Sequence, residues 1–246
     1  MCEEFPGFVP GLAIVQVGGR EDSNVYIRMK IKAASEIGIQ AQHVQLPRTT
    51  TQSQLLHTVS KLNNDPNVHG IIVQMPLDAD QAIDSDLILD AVAPSKDVDG
   101  LSTISAGKLS HGLMEGDGFL PCTPNGCMEL IRRSGAQIQG ATAVVLGRSK
   151  IVGTPMAELL KWHNATVTTC HSRTKDLPAV VGTADILVVG IGRPEMVKGD
   201  WIKPGAVVID CGINAIPDAS KKSGQRLVGD VEYATASKVR VLLWIS

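Results

Sequence analysis

Runs of apolar, β-branched residues alternate with amphipathic segments along the first half of the chain. The apolar runs have the length of strands, and the amphipathic segments repeat their apolar positions with the helical period. The run Ile71-Ile72-Val73 has no polar alternation, which is typical of a parallel sheet covered on both faces. The pattern predicts strands at Leu12–Val17, Ala41–Leu46 and Gly70–Met75, and helices at Ser23–Gly38 and Gln52–Asn64.

The same alternation begins again after Gly112–Pro124, a stretch rich in Gly, Asp and Pro. We therefore expect an α/β protein of two α/β domains, residues 1–122 and 123–246. Open parallel sheets bind ligands at the carboxyl ends of their strands, so we expect an active site in a cleft between the domains. The second domain is predicted to have strands at Ala143–Leu146, Ala165–Cys170, Ile186–Val189 and Ala206–Asp210, and helices at Thr154–Trp162 and Leu177–Thr183.

Composition and charge exclude several classes of protein. Of the 246 residues, 43% are hydrophobic and 20% are charged, with a net charge of −2, which excludes disordered, collagen-like and coiled-coil chains. We expect no nucleic-acid partner, because no run of Lys and Arg could follow a phosphate backbone. We expect a cytoplasmic protein without a membrane partner, since no apolar run approaches the roughly 20 residues of a span and no signal or transit peptide is recognised.

Five cysteines are present, and they form neither a CxxC pair nor a Cys/His ligand spacing. An odd number without such spacing predicts reduced thiols and no metal site. The five are Cys2, Cys122, Cys127, Cys170 and Cys211.

A glycine-bounded turn, Gly147–Gly153, joins a predicted strand to a predicted helix, as the phosphate turn of a Rossmann fold does. Its spacing is not GxGxxG, so the turn alone is a weak signal. About 20 residues further on, an NAD enzyme carries a carboxylate for the ribose, but this chain has His171-Ser172-Arg173. The Ser172 hydroxyl and the Arg173 guanidinium, with Arg148 from the turn, favour the 2′-phosphate of NADP.

A simpler interpretation of these cations is that Arg148, Lys150 and Arg173 are solvated charges at loop ends. The strand–turn–helix context decides against it. A second glycine turn, Gly190–Pro194, also follows a strand and would line the same cofactor.

Candidate chemistry in the first domain centres on Lys30. Tyr26 and Lys30 lie one turn apart on the predicted helix. Their face carries Ala33, Ala34 and Ile37, which predicts the edge of a buried surface. A partly dehydrated lysine there can transfer protons near neutral pH, although spacing alone favours a lysine that reaches solvent beside a packing tyrosine.

Two further polar positions follow strands or turns of the first domain. Gln74 would project from the carboxyl edge of the sheet. Asp97 and Asp99 lie in a charged turn, and propensity favours a helix cap or an Asx-turn for either of them.

These residues lie in blocks that resemble the methylenetetrahydrofolate dehydrogenase/methenyltetrahydrofolate cyclohydrolase family, and most strongly its members within the cytosolic C1-tetrahydrofolate synthases of animals. The resemblance runs from about residue 6 to residue 233, in the family's order. The blocks are Asp22-Ser23-Asn24-Val25-Tyr26 with Lys30, Val73-Gln74-Met75-Pro76-Leu77, Lys96-Asp97-Val98-Asp99-Gly100, Pro121-Cys122-Thr123-Pro124, Gly147–Gly153, Val208–Asn214 and Val228-Gly229-Asp230-Val231.

The resemblance implies NADP-dependent oxidation of 5,10-methylenetetrahydrofolate and hydrolysis of the product to 10-formyltetrahydrofolate, by a homodimer. It implies that Lys30 is the main catalytic residue, oriented by Gln74, with Asp99 on the pterin edge. The implied substrate contacts are Tyr26, Lys30, Val73, Gln74, Met75 and Asp99, and the implied NADP contacts are Gly147, Arg148, Ser149, Lys150, Ser172 and Arg173.

The sequence departs from the family's pattern in three respects. Met75 replaces a leucine, which is tolerated because volume and polarity change little. The family's opening helix is not found, and after Val231 neither is its Pro-Gly-Gly-Val-Gly-Pro loop. We expect uncovered apolar surface and a loss of stability and activity from these differences.

Two alternatives remain at this point. One is a catalytically impaired isoform that binds NADP or a full-length partner without turnover. The other is a different two-domain NADP oxidoreductase, such as a shikimate-dehydrogenase-like enzyme, against which the blocks of the first domain argue.

Overall fold

The computed structural model describes residues 7–113, 118–221, 224–239 and 242–245. The chain divides into two compact units, Met1–Leu120 and Pro121–Ser246. Within the described ranges, no helix combines the length and the apolar character that crossing a bilayer would need. Cys2 lies outside the described residues.

The first unit contains a parallel sheet with helices on both faces. Its elements are β1 Gly11–Val17, α1 Glu21–Glu36, β2 Gln40–Leu46, α2 Gln52–Asn64, β3 Gly70–Val73, α3 Ser85–Asp90 and α4 Thr103–Ser110. Strand β1 is central and pairs in parallel with β2 and with β3. The predicted strand–helix alternation of this half is thus confirmed. The predicted and observed ends of the elements differ by at most two residues.

Successive residues of these strands point to opposite faces of the sheet. Val15 and Val73 belong to a core that includes Leu55 of α2. Ile72 belongs to a second core, which includes Ile27 of α1. The position two residues after Ile72, where the chain leaves β3, therefore continues the row that faces α1.

The second unit is a doubly wound parallel sheet with one added hairpin. Its elements are α5 Cys122–Arg133, β4 Thr142–Leu146, α6 Gly153–Trp162, β5 Thr166–Cys170, α7 Leu177–Val181, β6 Ile186–Val189, a 3₁₀ turn Gly199–Trp201, β7 Val207–Asp210, β8 Asn214–Pro217, β9 Gln225–Val228, α8 Tyr233–Ala236 and β10 Leu242–Ile245. The parallel strands follow the order β5-β4-β6-β7-β10, and β8 pairs antiparallel with β9. Strand order reverses between β4 and β6, and such a switch point is where open sheets of this kind bind ligands.

Candidate functional site

Helix α1 holds Lys30 at the boundary between its buried and exposed sides. Ile27 and Ala34 face the sheet and are 1% and 5% exposed. Lys30 lies about one turn from each of them and is half-buried. Tyr26, one turn before Lys30, is 39% exposed.

The buried surface beside Lys30 is smaller than the sequence predicts. Ala34 is buried, but Ala33 is exposed and Ile37 is 74% exposed. The helix ends before Ile37, because the Gly38 N–H donates to the Ser35 carbonyl oxygen at 3.2 Å and Gly38 takes a φ of +79°. Ile37 and Gly38 thus lie in the turn that leads into β2, where the sequence predicts continued burial.

Gln74 orients the Lys30 ammonium. Lys30 Nζ donates to Gln74 Oε1 at 3.2 Å, and Gln74 Nε2 donates to the Met75 carbonyl oxygen at 2.9 Å. A carbonyl can only accept and an ammonium can only donate, so this amide orientation is the one that satisfies both contacts. The strand register explains the contact, since Gln74 follows Ile72 in the row that faces α1.

Val73 and Met75, on either side of Gln74, point to the opposite face of the sheet, toward the core shared with α2. Val73 is 3% exposed within the core shared with α2, and Met75 is half-buried against that core. Val73 can therefore meet a ligand through its main chain but not through its side chain.

The turn Lys96–Gly100 is anchored by its first two residues. Lys96 Nζ donates to the Leu62 and Asp65 carbonyl oxygens at 3.1 and 2.8 Å, at the end of α2. Asp97 is 4% exposed and accepts from the Ser102 N–H at 3.0 Å, ahead of α4. The N-cap of α4 is Ser102, whose side chain accepts from the Ser105 N–H, so the capping role that propensity favours is not found for Asp97. Asp99 lies half-buried in the anchored turn.

Hydrogen bonds made by the buried Gln16 beside α1 were not predicted from the sequence. Gln16 is 2% exposed, and its Nε2 donates to Asn24 Oδ1 at 2.9 Å. Its Oε1 lies 2.8 Å from His43 Nε2. The signal available in the sequence was a lone glutamine within the apolar run of β1. These contacts tie the first turn of α1 to strands β1 and β2.

At the switch point of the second unit, the two glycine turns touch. Gly147 follows β4 with a φ of +113°, and a Cβ on it would collide with the Gly190 carbonyl oxygen after β6. A Cβ on Gly153, at the start of α6, would collide with the Gly147 carbonyl oxygen. Only glycine permits this approach, which leaves the backbone open to a pyrophosphate at the N-terminus of α6.

Four predicted cofactor residues lie in this turn. Gly147 is half-buried, and Arg148, Ser149 and Lys150 are exposed. The Ser149 Oγ accepts from the Val152 N–H at 3.1 Å and from the Gly153 N–H at 3.3 Å. The Ser149 side chain therefore provides an acceptor for two N–H groups at the start of α6.

Ser172 and Arg173 lie in the turn after β5, beside the Gly147 turn. The Gly147 N–H donates to the Cys170 carbonyl oxygen at 2.9 Å, which joins the two turns. Both predicted residues are exposed, and the Arg173 N–H donates to His171 Nδ1 at 3.2 Å. Arg148 and Arg173 thus lie in neighbouring turns at the same edge of the sheet.

Two buried aspartates hold the second glycine turn, and sequence reasoning missed both. Asp230 is fully buried and accepts from the Ile191, Gly192 and Arg193 N–H groups at 2.7 to 2.9 Å. Such a set of donors fixes the backbone after Gly190. The signal in the sequence was an aspartate between apolar residues within a family block.

Asp210, at the end of β7, supports Asp230. Its Oδ1 accepts from the Asp230 N–H at 3.1 Å, and its Oδ2 accepts from the Val231 N–H at 2.9 Å. Burial raises the pKa of Asp210, and the nearby Asp230 carboxylate acts in the same direction, while the N–H groups oppose them. In the described ranges, no group of three or more His, Cys, Asp and Glu residues could hold a metal ion.

Both units match sequence models of one family. Residues 2–99 match the tetrahydrofolate dehydrogenase/cyclohydrolase catalytic domain, and residues 121–243 match the NAD(P)-binding domain of the same family. The second match continues past Val231, where the sequence predicts a departure from the family.

Individual relatives agree with these matches. The chain is 70% identical over 239 residues to the cytoplasmic C-1-tetrahydrofolate synthase of Drosophila melanogaster, covering 97% of this chain and 24% of that protein. It is 52% identical over 235 residues to the bifunctional protein FolD 2 of Arabidopsis thaliana, covering 95% of this chain and 77% of that protein.

Among solved structures, the Trypanosoma brucei methylenetetrahydrofolate dehydrogenase-cyclohydrolase (FolD), complexed with NADP cofactor and inhibitor, superposes with a TM-score of 0.92. It is 40% identical, and the match covers 100% of this chain and 82% of that one. The chain spans about a quarter of the length of the C-1-tetrahydrofolate synthases that it matches. With catalytic and cofactor domains both matched, the chain belongs to the tetrahydrofolate dehydrogenase/cyclohydrolase family.

Proposed function

We propose that the chain oxidises 5,10-methylenetetrahydrofolate with NADP and hydrolyses the resulting methenyl cation to 10-formyltetrahydrofolate. The observation that carries this proposal is the contact between Lys30 Nζ and Gln74 Oε1 at 3.2 Å, beside an exposed tyrosine ring. In this assignment, residues 1–122 bind the folate and residues 123–246 bind NADP. Family membership argues against a shikimate-dehydrogenase-like enzyme.

The folate would lie against Tyr26, with its one-carbon bridge near Lys30. The exposed ring of Tyr26 suits stacking on a flat pteridine. Asp99, half-buried in its anchored turn, would accept hydrogen bonds from the pterin edge. Gln74, Met75 and the main chain of Val73 would complete the contacts with the substrate.

Lys30 would transfer a proton in the hydrolytic step. Water that attacks the methenyl carbon loses a proton, and a ring nitrogen gains one as the bridge opens. Lys30 Nζ is held within reach of such a site by Gln74 and can move this proton. Oxidation needs less from the protein, namely the positioning of the two reactants.

NADP fits the two glycine turns of the second unit. Gly147, Gly153 and Gly190 leave backbone space that a Cβ would fill, as close approach of a pyrophosphate requires. Ser149 and Lys150 would contact that phosphate, and Arg148, Ser172 and Arg173 would hold the 2′-phosphate. When bound, NADP supplies the acceptor for the hydride that leaves the one-carbon bridge.

The cellular setting is part of the same proposal. We infer a cytoplasmic role in one-carbon metabolism and purine biosynthesis, supported by relatives that are named cytoplasmic C-1-tetrahydrofolate synthases. A homodimer follows from the family resemblance, and native mass spectrometry of the purified chain would test it.

The test uses the purified 246-residue chain with 5,10-methylenetetrahydrofolate. We expect NADPH absorbance to rise with NADP, a far slower rise with NAD, and 10-formyltetrahydrofolate as the product. NADP binding without turnover would contradict the proposal and support the impaired isoform. Turnover of a shikimate-type hydroxy acid instead would support the other alternative.

A further inference from the structure

Two cysteines that the proposed reaction does not use meet inside the second unit. Cys127 lies in α5 and is 5% exposed, and Cys211 follows β7 and is half-buried. Their Sγ atoms are 3.4 Å apart, although 84 positions separate them in the sequence. Both are free thiols.

We propose that Cys127 and Cys211 form a reversible disulfide when a hydroperoxide oxidises the protein, and that this cross-link weakens NADP binding. A disulfide bond measures about 2.05 Å, so the sulfur atoms have to approach by about 1.4 Å from their 3.4 Å separation. A movement of this size needs adjustment of two side chains and of the backbone that carries them. The sequence predicts reduced thiols, and the reduced pair is the resting state of the protein.

The chemistry balances with one equivalent of hydrogen peroxide. One thiol attacks the peroxide, the O–O bond breaks, and a sulfenic acid and one water are formed. The second sulfur then attacks the sulfenic sulfur, and the S–S bond forms as the S–O bond breaks and a second water leaves. Two thiols lose two electrons and the peroxide is reduced. A small thiol reverses the cross-link by exchange.

The hydrogen bond between the two sulfur atoms affects them in opposite directions. It lowers the pKa of Cys127, which favours the thiolate form of that sulfur. The same hydrogen bond, followed by burial, raises the pKa of Cys211 and favours its thiol form. Cys170 differs from both, since burial raises its pKa and its sulfur is hydrogen-bonded to the Thr174 side chain.

The link to NADP binding rests on the proposed function and on the neighbours of Cys211. The Cys211 N–H donates to the Val189 carbonyl oxygen at 2.8 Å, next to Gly190. A Cβ placed on Gly190 would lie 3.7 Å from the Cys211 Cβ. Movement of Cys211 toward α5 therefore displaces the residue that packs against Gly190 in the second glycine turn.

The test is peptide mapping of the full chain, reduced and then treated with hydrogen peroxide. Free thiols are alkylated before digestion without reductant. We expect one cross-linked peptide pair that contains Cys127 and Cys211 and disappears after dithiothreitol. Cys127→Ser and Cys211→Ser should lack the pair, and Cys170→Ser should retain it. Absence of the pair from oxidised wild-type protein, or a predominant link through Cys122, would overturn the proposal.

NADP titration of the same samples tests the consequence. We expect the Kd of the oxidised protein to rise by about tenfold, equivalent to about 1.4 kcal/mol, and to recover after reduction. A cross-linked protein with unchanged NADP affinity would overturn the regulatory part. Failure of the reduced protein to bind NADP would contradict the proposed function instead, and mass analysis would still decide the cross-link.

Discussion

Lys30 Nζ and Gln74 Oε1 lie 3.2 Å apart, and the other end of the Gln74 amide is held by the Met75 carbonyl oxygen. Gln74 therefore cannot rotate without losing one contact, and it fixes the ammonium by its own attachment to the main chain. This relationship connects the register of β3 to the proposed proton transfer.

Replacing Gln74 with Leu removes the acceptor and keeps a side chain of similar length. We expect kcat for hydrolysis to fall by about 10- to 100-fold with a smaller change in KM, since misplacing a catalytic group costs rates of this order. Gln42→Leu, at an exposed position of β2, is the matched control. An unchanged kcat in Gln74→Leu would show that the contact does not orient the lysine.

Gly147→Ala tests the close approach of the two glycine turns. The new Cβ would collide with the Gly190 carbonyl oxygen, so we expect loss of NADP binding and a lower free energy of unfolding. Gly140→Ala is a strict comparison, because Gly140 also has a positive φ of +78° but nothing within 4 Å of its Cβ position. Calorimetric titration with NADP should separate the two, and equal effects would assign the loss to backbone strain alone.

Much of the fold follows from local patterns. Helix α2 has its predicted bounds, because Thr51 and Gln54 form a capping box at its start. Strand β6 also has its predicted bounds, since all four of its residues are buried and apolar. Strand β3 ends two residues early, ahead of Pro76, which has no N–H to extend the ladder.

Other elements depend on contacts that are distant in the sequence. Helix α5 begins within the stretch rich in Gly and Pro that predicts an interdomain segment, and its buried Met128 and Ile131 stabilise it. The short strands β8 and β9 carry polar residues and form through pairing with each other. Asp210 supports Asp230 across 20 positions, and Asp230 supports the second glycine turn across 37 to 39 positions, which no local pattern reveals.

Arg173→Ala tests the preference for NADP over NAD. A charge-assisted hydrogen bond is worth about 1.5–3 kcal/mol, so we expect the Kd for NADP to rise by about 10- to 100-fold while that for NAD stays the same. Lys175→Ala, in the same exposed turn, should change NADP affinity far less. A parallel loss of affinity for both cofactors would contradict the assignment of Arg173 to the 2′-phosphate.

Asp210→Asn tests how much the buried carboxylate lowers the free energy of unfolding. Burial raises the pKa of Asp210, so the folded state binds its proton more tightly than the unfolded state does. The free energy of unfolding of the wild type, relative to that of the variant, should therefore decrease as pH rises. The decrease begins at about pH 4, the pKa of Asp in the unfolded state, and continues through the raised pKa of the folded state. Urea unfolding of both proteins across this range measures the difference. A relative stability that increases with pH would mean that the N–H donors outweigh burial.

The most direct test of the proposed chemistry compares Lys30→Met with Lys32→Met, since Lys32 is exposed on the same helix and pairs with Glu36. We expect Lys30→Met to lose methenyltetrahydrofolate hydrolysis by about 100-fold or more, the usual contribution of a proton-transfer group, with its Kd for NADP unchanged. Lys32→Met should hydrolyse at the wild-type rate. Hydrolysis by Lys30→Met at the wild-type rate would contradict the account.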